Sequence, residues 1–291
     1  MIAVAPLSGD TGAPAPATET PLFFDSGDRP LYAVHHEARR FRHDAPVLVH
    51  CHSLGVEQLT AYRAEVLLAR AAATAGFPVL RWHARGHGDS AGDFTDVTLE
   101  RMTEDALAAA AEARRLSGAS RVVWLGVRFG ALSAARAALQ TPGSAGLALW
   151  EPVHHGLEYF RGHLRGWLFS EVAAGRHPGV SADELLERVT RDGQTDVHGY
   201  ALHRAIVQSA RGEVLGNRLE PWNAPTLIAQ IQARPRLTPA NEALASALRR
   251  RGATVTTIAV AEEPGWQFIS NPAWECAPLV RETVEWLDAL A

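Results

Sequence analysis

The sequence predicts an α/β protein in which a mostly parallel sheet is flanked by helices. Short apolar runs alternate with longer amphipathic stretches, which is the order expected of strand–helix–strand units. Several apolar runs end in loops rich in Gly, His and Ser, and such loops meet along one edge of an open α/β sheet. The chain has 291 residues, 47% of them hydrophobic, which is enough for one large domain with its own core.

The first third of the chain predicts three strands and a long helix. PLFF and PLYAVHHEA predict two opening strands joined by a turn at residues 26–28. APVLVHCHS, residues 45–53, predicts a buried strand, and the helix after it is expected to end at Gly76. Residues 1–20 are rich in Ala, Pro, Gly and Thr, so we expect a disordered leader there and a single domain over residues 21–291.

The remaining elements continue the alternation. FPVLRWHARGHGDSAGDF predicts a strand and a glycine-rich loop, and Thr98 is expected to cap the helix that follows. VVWLGVRFG and ALSAARAALQ predict a strand, a tight turn and a helix, and GLALWEPV predicts another buried strand. Two strands, APTLIAQIQA and TVTTIAVAEEPGWQF, and a closing helix complete the sheet layer. Residues 156–221 contain amphipathic stretches and no clear strand, which predicts a helical cap inserted over the sheet edge.

The segment GVRFG, residues 126–130, has the glycine spacing of the G-x-S-x-G nucleophile elbow. That motif is a strained strand-to-helix turn that raises a serine at the end of a parallel strand. Here Arg128 occupies the serine position. A guanidinium stays protonated and cannot attack a carbonyl. The sequence therefore predicts the turn without its nucleophile.

The pieces VLVHCHSLG, RGHGDSAG and GVRFG resemble the α/β-hydrolase superfamily over residues 21–291. RGHGDSAGDFTD, GVRFGAL, LWEPVHHGLEYFRGHLR, VHGYALH and PGWQF are most similar to the second hydrolase type associated with exosortase A systems, which has an arginine-type elbow and a Trp-Gln pair near the last strand. The resemblance implies the α/β-hydrolase fold. It also implies hydrolase or acyl-transfer activity on an ester, acyl or glycan-derived substrate, and a place in bacterial exopolysaccharide biosynthesis.

Two further positions depart from the superfamily's Ser-His-Asp pattern. The superfamily's histidine follows the last strand, but no histidine occurs after His203. The acid expected after TLIAQIQA is missing, since Arg234, Pro235 and Arg236 follow. Because nucleophile, base and acid are all absent, we do not expect the ordinary serine-hydrolase mechanism.

Arg128 has two compatible interpretations. In the first, Glu151 at the end of the neighbouring strand holds it in a structural ion pair. In the second, it points into a pocket and binds an anionic group near a helix N-terminus. An active enzyme would use Glu151 and His154 to move protons, while backbone N–H groups at Leu54 and Gly55 polarise a carbonyl.

Three more residues complete the predicted binding site: His52, Phe129 and Gln267. The chain has 13 histidines, several near the predicted strand ends, which indicates either a polar pocket rim or an acid–base pair. No H-E-x-x-H or comparable ligand spacing occurs, so we expect no metal and no cofactor. Cys51 is interpreted as a buried, inert thiol rather than a nucleophile.

The composition of the chain argues against some classes of partner and location. A net charge of −4 and a pI near 6.4 argue against a nucleic-acid partner. No run of about 18 apolar residues occurs, so no membrane span is expected. Two cysteines are typical of a cytoplasmic protein. Two hypotheses remain: a noncanonical enzyme, or a catalytically silent pseudo-hydrolase that binds a pathway protein or a small-molecule or glycan-derived ligand.

Overall fold

The structure, a computed structural model, describes residues 17–40, 42, 44–197, 199–265 and 274–290. The strands in these ranges are β1 (Glu19–Ser26), β2 (Arg29–His36), β3 (Val47–Cys51), β4 (Val79–Trp82), β5 (Val122–Val127), β6 (Ser144–Trp150), β7 (Gln194–Val197), β8 (Tyr200–His203), β9 (Thr226–Ile231) and β10 (Val255–Val260). The helices are α1 (Gly55–Ala75), α2 (Leu99–Ser117), α3 (Gly130–Gln140), α4 (Gly156–Ala173), α5 (Ala182–Asp192), α6 (Arg204–Ala210), α7 (Leu215–Arg218), α8 (Pro239–Arg250) and α9 (Ala277–Asp288).

Eight strands form the central sheet in the order β1-β2-β4-β3-β5-β6-β9-β10. β2 pairs antiparallel with both β1 and β4, and every pair from β4 to β10 is parallel. The predicted mostly parallel sheet is therefore confirmed. Because the crossovers return each strand in the same direction, the loops after β3, β5 and β6 meet at one edge.

Helices cover both faces of the sheet. α1 and α9 pack together on one face, over a core that contains Phe77, Trp150 and Trp286. α2, α3 and α8 contribute to the core of the other face, around Trp124 and Leu132. β3 and β5 are buried along their whole length, as expected for central strands covered on both sides.

Local signals fix the ends of the helices much as predicted. The left-handed Gly76, with φ of 102°, follows α1. The Thr98 hydroxyl accepts a hydrogen bond from the Arg101 N–H at 3.2 Å and caps α2. These two predictions are confirmed.

Two sequence expectations need correction. β1 begins at Glu19, inside the expected leader of residues 1–20, because its first residues pair with the end of β2; residues 1–16 lie outside the described residues. The segment between β6 and β9 contains α4, α5, α6 and α7 but also the antiparallel pair β7–β8, which the sequence did not predict. We call β7–β8, residues 194–203, the cap hairpin.

Candidate functional site

Arg128 lies at the tip of the tight turn between β5 and α3. Its φ of 52° is in the left-handed region, which residues with a Cβ rarely adopt. Its N–H donates to the Trp150 carbonyl at 2.9 Å, and its own carbonyl accepts from the Val153 N–H at 3.2 Å. The chain thus keeps the strained geometry of a nucleophile elbow and places arginine at its tip.

The two glycines of the elbow are required by close backbone contacts. A Cβ on Gly126 would lie 2.5 Å from Cα of Ala131. A Cβ on Gly130 would lie 2.1 Å from the carbonyl oxygen of Cys51. Neither position can carry a side chain without moving the backbone. These contacts explain the glycine spacing from which the turn was predicted.

The ion-pair partner of Arg128 is Glu57, in the first turn of α1. Nε and Nη2 of Arg128 donate to the same Glu57 oxygen at 3.1 and 3.0 Å. The Glu151 contact is different from the one expected, because Nη1 of Arg128 donates to the Glu151 carbonyl at 3.2 Å. The prediction that the Glu151 carboxylate forms this ion pair was wrong, because α1 brings a nearer carboxylate over the elbow.

Glu57 collects further donors from the sheet edge and the cap. Its second oxygen accepts from the Ser53 hydroxyl at 2.6 Å and from the Tyr159 hydroxyl at 3.0 Å. His163 Nε2 lies 3.5 Å from the oxygen that faces Arg128. The Glu57 side chain is 4% exposed. A carboxylate held by this many donors is fixed in one orientation.

These contacts keep both Arg128 and Glu57 in their charged forms. Burial raises the pKa of Glu57, but the charge of Arg128 and hydrogen bonds from His163 and Ser53 outweigh it and lower that pKa to about 2. Burial alone would lower the pKa of Arg128, but the charges of Glu57 and Glu151 raise it. Burial and the Glu57 charge raise the pKa of Tyr159 well above its usual value. Neither partner of the Arg128–Glu57 ion pair is therefore suited to proton transfer near neutral pH.

The predicted binding residue Phe129 contributes its backbone. In a nucleophile elbow, the N–H after the nucleophile helps to stabilise a developing oxyanion. Here the Phe129 N–H donates to the Ser53 hydroxyl at 3.3 Å. The Phe129 ring is buried and packs on Tyr159, with ring centres 5.0 Å apart. The Ser53 hydroxyl therefore accepts the hydrogen bond that the Phe129 N–H would otherwise donate to an oxyanion.

A cleft lies between the start of α1 and the inserted segment. One side of it is formed by Leu54, Gly55, Val56 and Phe94. The other side consists of residues from α4, the cap hairpin and α6, namely Tyr159, Phe160, His163, Val197, Tyr200, Leu202 and Ile206. Leu54 and Gly55, predicted to polarise a carbonyl, thus lie on the cleft wall. The lining is largely apolar and aromatic.

His52 does not face this cleft as a free ligand. It is buried, its Nδ1 lies 2.6 Å from the Ser53 carbonyl, and its Nε2 accepts from the Ala84 N–H at 2.9 Å. This pattern assigns the neutral tautomer with hydrogen on Nδ1. Burial, and then the charge of His87, lower the pKa of His52 well below its usual value. Both ring nitrogens of His52 therefore bind backbone groups of the neighbouring loops.

His154 lies away from Arg128. Its Nε2 is 2.8 Å from Oδ1 of Asn241, and Asn241 in turn donates to Gln230 at 2.6 Å. Gln230 donates to the Glu151 carboxylate. His154 also lines a separate shallow depression with Val214 and Leu244. His52 and His154 thus form hydrogen bonds with groups other than Arg128, and Gln267 lies outside the described residues.

Sequence reasoning missed Glu57 and the three residues that contact its carboxylate besides Arg128, namely Ser53, Tyr159 and His163. The available signal was an acid in the first turn of the helix that follows the first core strand. The first turn of α1 lies at the same edge of the sheet as the elbow. No group of three or more His, Cys, Asp or Glu side chains within the described ranges could hold a metal ion.

Residues 42–211 match the family model Hydrolase_4, described as serine aminopeptidase, S33. The chain belongs to this family. No curated protein sequence gives a match.

Solved structures that share low identity with this S33 chain have the same fold. Est1E from Butyrivibrio proteoclasticus, with ferulic acid bound, is 17% identical with a TM-score of 0.70, covering 92% of this chain and 98% of its own. The Pyrococcus furiosus esterase Pf2001 is 12% identical with a TM-score of 0.64, covering 94% and 91%. Proline iminopeptidase from Mycobacterium smegmatis is 16% identical with a TM-score of 0.58, covering 94% and 100%. The expected α/β-hydrolase fold is confirmed.

In this S33 chain, the positions of the Ser-His-Asp pattern carry other residues. Arg128 stands at the elbow tip, and the residue after β9 is Gln232. The sequence contains no histidine after β10. Among the helices of the described residues, none combines the length and the apolar character that a membrane span requires.

Proposed function

We propose that this S33-family chain is a catalytically silent hydrolase-fold protein that binds a small-molecule or glycan-derived ligand in the cleft between the start of α1 and the cap. The observation that carries the proposal is the ion pair between Arg128 and Glu57 at the elbow. A serine hydrolase needs a nucleophile and a free oxyanion donor at this place. Here a guanidinium occupies the first position, and the Ser53 hydroxyl engages the second.

The cleft itself supports ligand binding. Concave sites lined by apolar and aromatic side chains, with a few convergent polar groups, are the usual form of a small-molecule site. Tyr159 and His163 supply polar groups beside the apolar wall. The resemblance to the second exosortase-associated hydrolase type supports a role in exopolysaccharide biosynthesis. The two free, buried cysteines support a cytoplasmic location.

A second candidate is a noncanonical hydrolase on an ester or acyl substrate, and the position of His163 favours it. His163 Nε2 lies 3.5 Å from the Glu57 carboxylate, and His163 lines the cleft. A histidine oriented by a carboxylate can serve as a general base toward water. In this mechanism the Arg128–Glu57 ion pair would orient His163, and His163 would accept a proton from the attacking water.

The deciding experiment measures hydrolysis of activated acyl esters and acyl thioesters by the purified protein. Arg128→Ala, Arg128→Ser and His163→Gln are assayed beside the wild type, with and without chelator. We expect no version to exceed the buffer rate. Turnover by the wild type that is lost in His163→Gln would instead establish the noncanonical enzyme. Thermal-shift titration of the wild type with acyl amides and short glycan fragments then tests ligand binding directly.

A further inference from the structure

Strand β10 forms one edge of the central sheet, and within the described chain it pairs only with β9. We propose that two copies of this chain associate through the outer edge of β10, with the two β10 strands antiparallel about a twofold axis at Thr257. The central sheet then continues from one copy into the other. The described residues that line the cleft include none of β10, so this inference does not depend on the proposed ligand-binding function.

The register of β9 and β10 determines which backbone groups face outward. The Thr226 N–H donates to the Thr254 carbonyl at 2.8 Å, where the pairing of the two strands begins. Hydrogen bonds to a parallel neighbour alternate along a strand, so every second residue from Thr254 turns its backbone groups toward β9. The backbone N–H and C=O groups of Val255, Thr257 and Ala259 therefore point to the outer edge.

The two edges of the sheet differ in their protection against such pairing. Proteins commonly protect edge strands with proline and charged side chains. β1, at the opposite edge, contains Pro21 between Glu19 and Asp25. β10 has the sequence VTTIAV, without proline or charge, and its β-branched residues favour strand structure. Among the described residues, its outward groups find one hydrogen-bond partner, since the Val255 carbonyl accepts from Arg249 at 2.9 Å.

The charges at the two ends of β10 favour a second copy in antiparallel orientation. Three arginines, at residues 249–251, precede the strand, and Glu262 and Glu263 follow it. Arg251 and Glu263 are both exposed and each lies six residues from Thr257. An antiparallel pair about Thr257 therefore brings the basic end of each strand beside the acidic end of the other. A parallel pair would place like charges together, which is unfavourable.

The same register matches the side chains of β10 across the axis. Thr257 lies opposite its own copy, and Thr–Thr pairs stabilise antiparallel sheets. Val255 lies opposite Ala259, and the half-buried Ile258 becomes covered. The pairing supplies about six backbone hydrogen bonds once Arg249 releases the Val255 carbonyl. The acidic end of the other copy offers Arg249 a new partner.

The test measures the oligomeric state by sedimentation velocity at increasing protein concentration, up to about 100 µM. We expect a monomer–dimer equilibrium with a micromolar dissociation constant, since one strand edge covers less area than a standard interface. Thr257→Lys and Thr257→Glu each place two like charges at the axis, so each should raise that constant at least about tenfold. The matched control Phe23→Lys, at an exposed position of β1, should leave it unchanged. Circular dichroism of each variant verifies its fold.

Mixing the two Thr257 variants tests whether the partner is a second copy in this register. The mixture pairs a lysine with a glutamate at the axis, so a heterodimer at least about tenfold tighter than either homodimer should form. If a Thr257 variant fails to fold, the exposed strand ends give the same information. Arg251→Glu and Glu263→Arg should each weaken the dimer, and the double variant should restore it because the ends are again complementary.

Three outcomes would overturn the inference. A wild type that stays monomeric at about 100 µM has no self-association through β10 in the micromolar range. A dimer that persists unchanged in both Thr257 variants forms through another surface. Folded, monomeric variants that do not associate when mixed, together with a double variant at residues 251 and 263 that stays monomeric, exclude the twofold register. None of these results bears on ligand binding in the cleft, which is measured separately.

Discussion

Arg128 and Glu57 lie 71 residues apart in the sequence and form an ion pair at the tip of the elbow, with Nε and Nη2 both within 3.1 Å of one carboxylate oxygen. The same carboxylate is held from its other side by Ser53 and Tyr159. The loop after β3, helix α1 and helix α4 of the cap are therefore connected through one buried carboxylate. The place where a serine hydrolase would be reactive is here a fixed part of the fold.

The first prediction concerns the strength of this ion pair. Glu57→Gln and Arg128→Met should each lower the free energy of unfolding by about 3–5 kcal/mol, because each leaves a buried charge uncompensated. The double variant should lose less than the sum of the two, with a coupling energy of about 2–3 kcal/mol. Urea unfolding of the four proteins measures the cycle.

The exposed pair Glu112 and Arg115 serves as the control for that cycle. Its arginine side chain is 67% exposed and screened by solvent, so its coupling energy should be much smaller than that of the buried pair. Additive effects at Glu57 and Arg128, no larger than those of this surface pair, would show that the buried ion pair does not stabilise the fold.

The elements of the fold were predictable because their signals are local. Gly126 and Gly130 mark the elbow at a fixed spacing, and the alternation of apolar strands and amphipathic helices gives the parallel sheet. The cap hairpin was missed because its strands are four residues each and only partly buried, so their hydrophobic alternation is weak. Short elements depend on tertiary contacts more than on their own pattern.

The site was less predictable because ion-pair partners are chosen by the folded geometry. Glu151 follows the strand next to β5, so sequence reasoning assigned it to Arg128. The structure instead brings the first turn of α1 over the elbow, and with it Glu57. His154 lies near Glu151 in sequence, yet it hydrogen-bonds Asn241, which is 87 residues away. Sequence proximity to a strand end does not fix where a side chain points.

The second prediction concerns the backbone contact at the elbow. Gly130→Ala should destabilise the protein by several kcal/mol, since its Cβ would lie 2.1 Å from the Cys51 carbonyl oxygen and neither backbone can yield cheaply. Gly166→Ala, on α4 with no atom within 4 Å of its Cβ, should stabilise by about 0.5–1 kcal/mol. Thermal unfolding measures both. Equal effects at the two positions would contradict the assigned close contact.

The third prediction separates the two histidines near the site. His163→Ala should weaken binding of N-phenyl-1-naphthylamine, a neutral apolar probe of the cleft, about three- to tenfold, because it removes part of the cleft wall and a contact to Glu57. His154→Ala should leave binding unchanged, because His154 lines a different depression. Fluorescence titration of both variants distinguishes the roles. A loss in His154→Ala equal to that in His163→Ala would reinstate the sequence prediction for His154.

The fourth prediction is a fall in stability below pH 6.5. Burial, with the nearby charge of Arg81, lowers the pKa of His36 to about 4 in the folded state. Burial likewise lowers the pKa of His87 to about 4, although its hydrogen bond to the Arg85 carbonyl opposes the shift. The unfolded chain has ordinary histidines with a pKa near 6.5, so it binds more protons than the folded chain between about pH 4 and 6.5.

Because the unfolded state gains protons first, the free energy of unfolding should decrease as the pH falls from 6.5 to 4. Each of the two histidines contributes up to about 3 kcal/mol. Urea unfolding at pH 4.5, 5.5, 6.5 and 7.5 gives the slope. His87→Phe should flatten this slope, since its aromatic replacement cannot bind a proton. A profile of His87→Phe that parallels the wild type would show that His87 is not held neutral by burial.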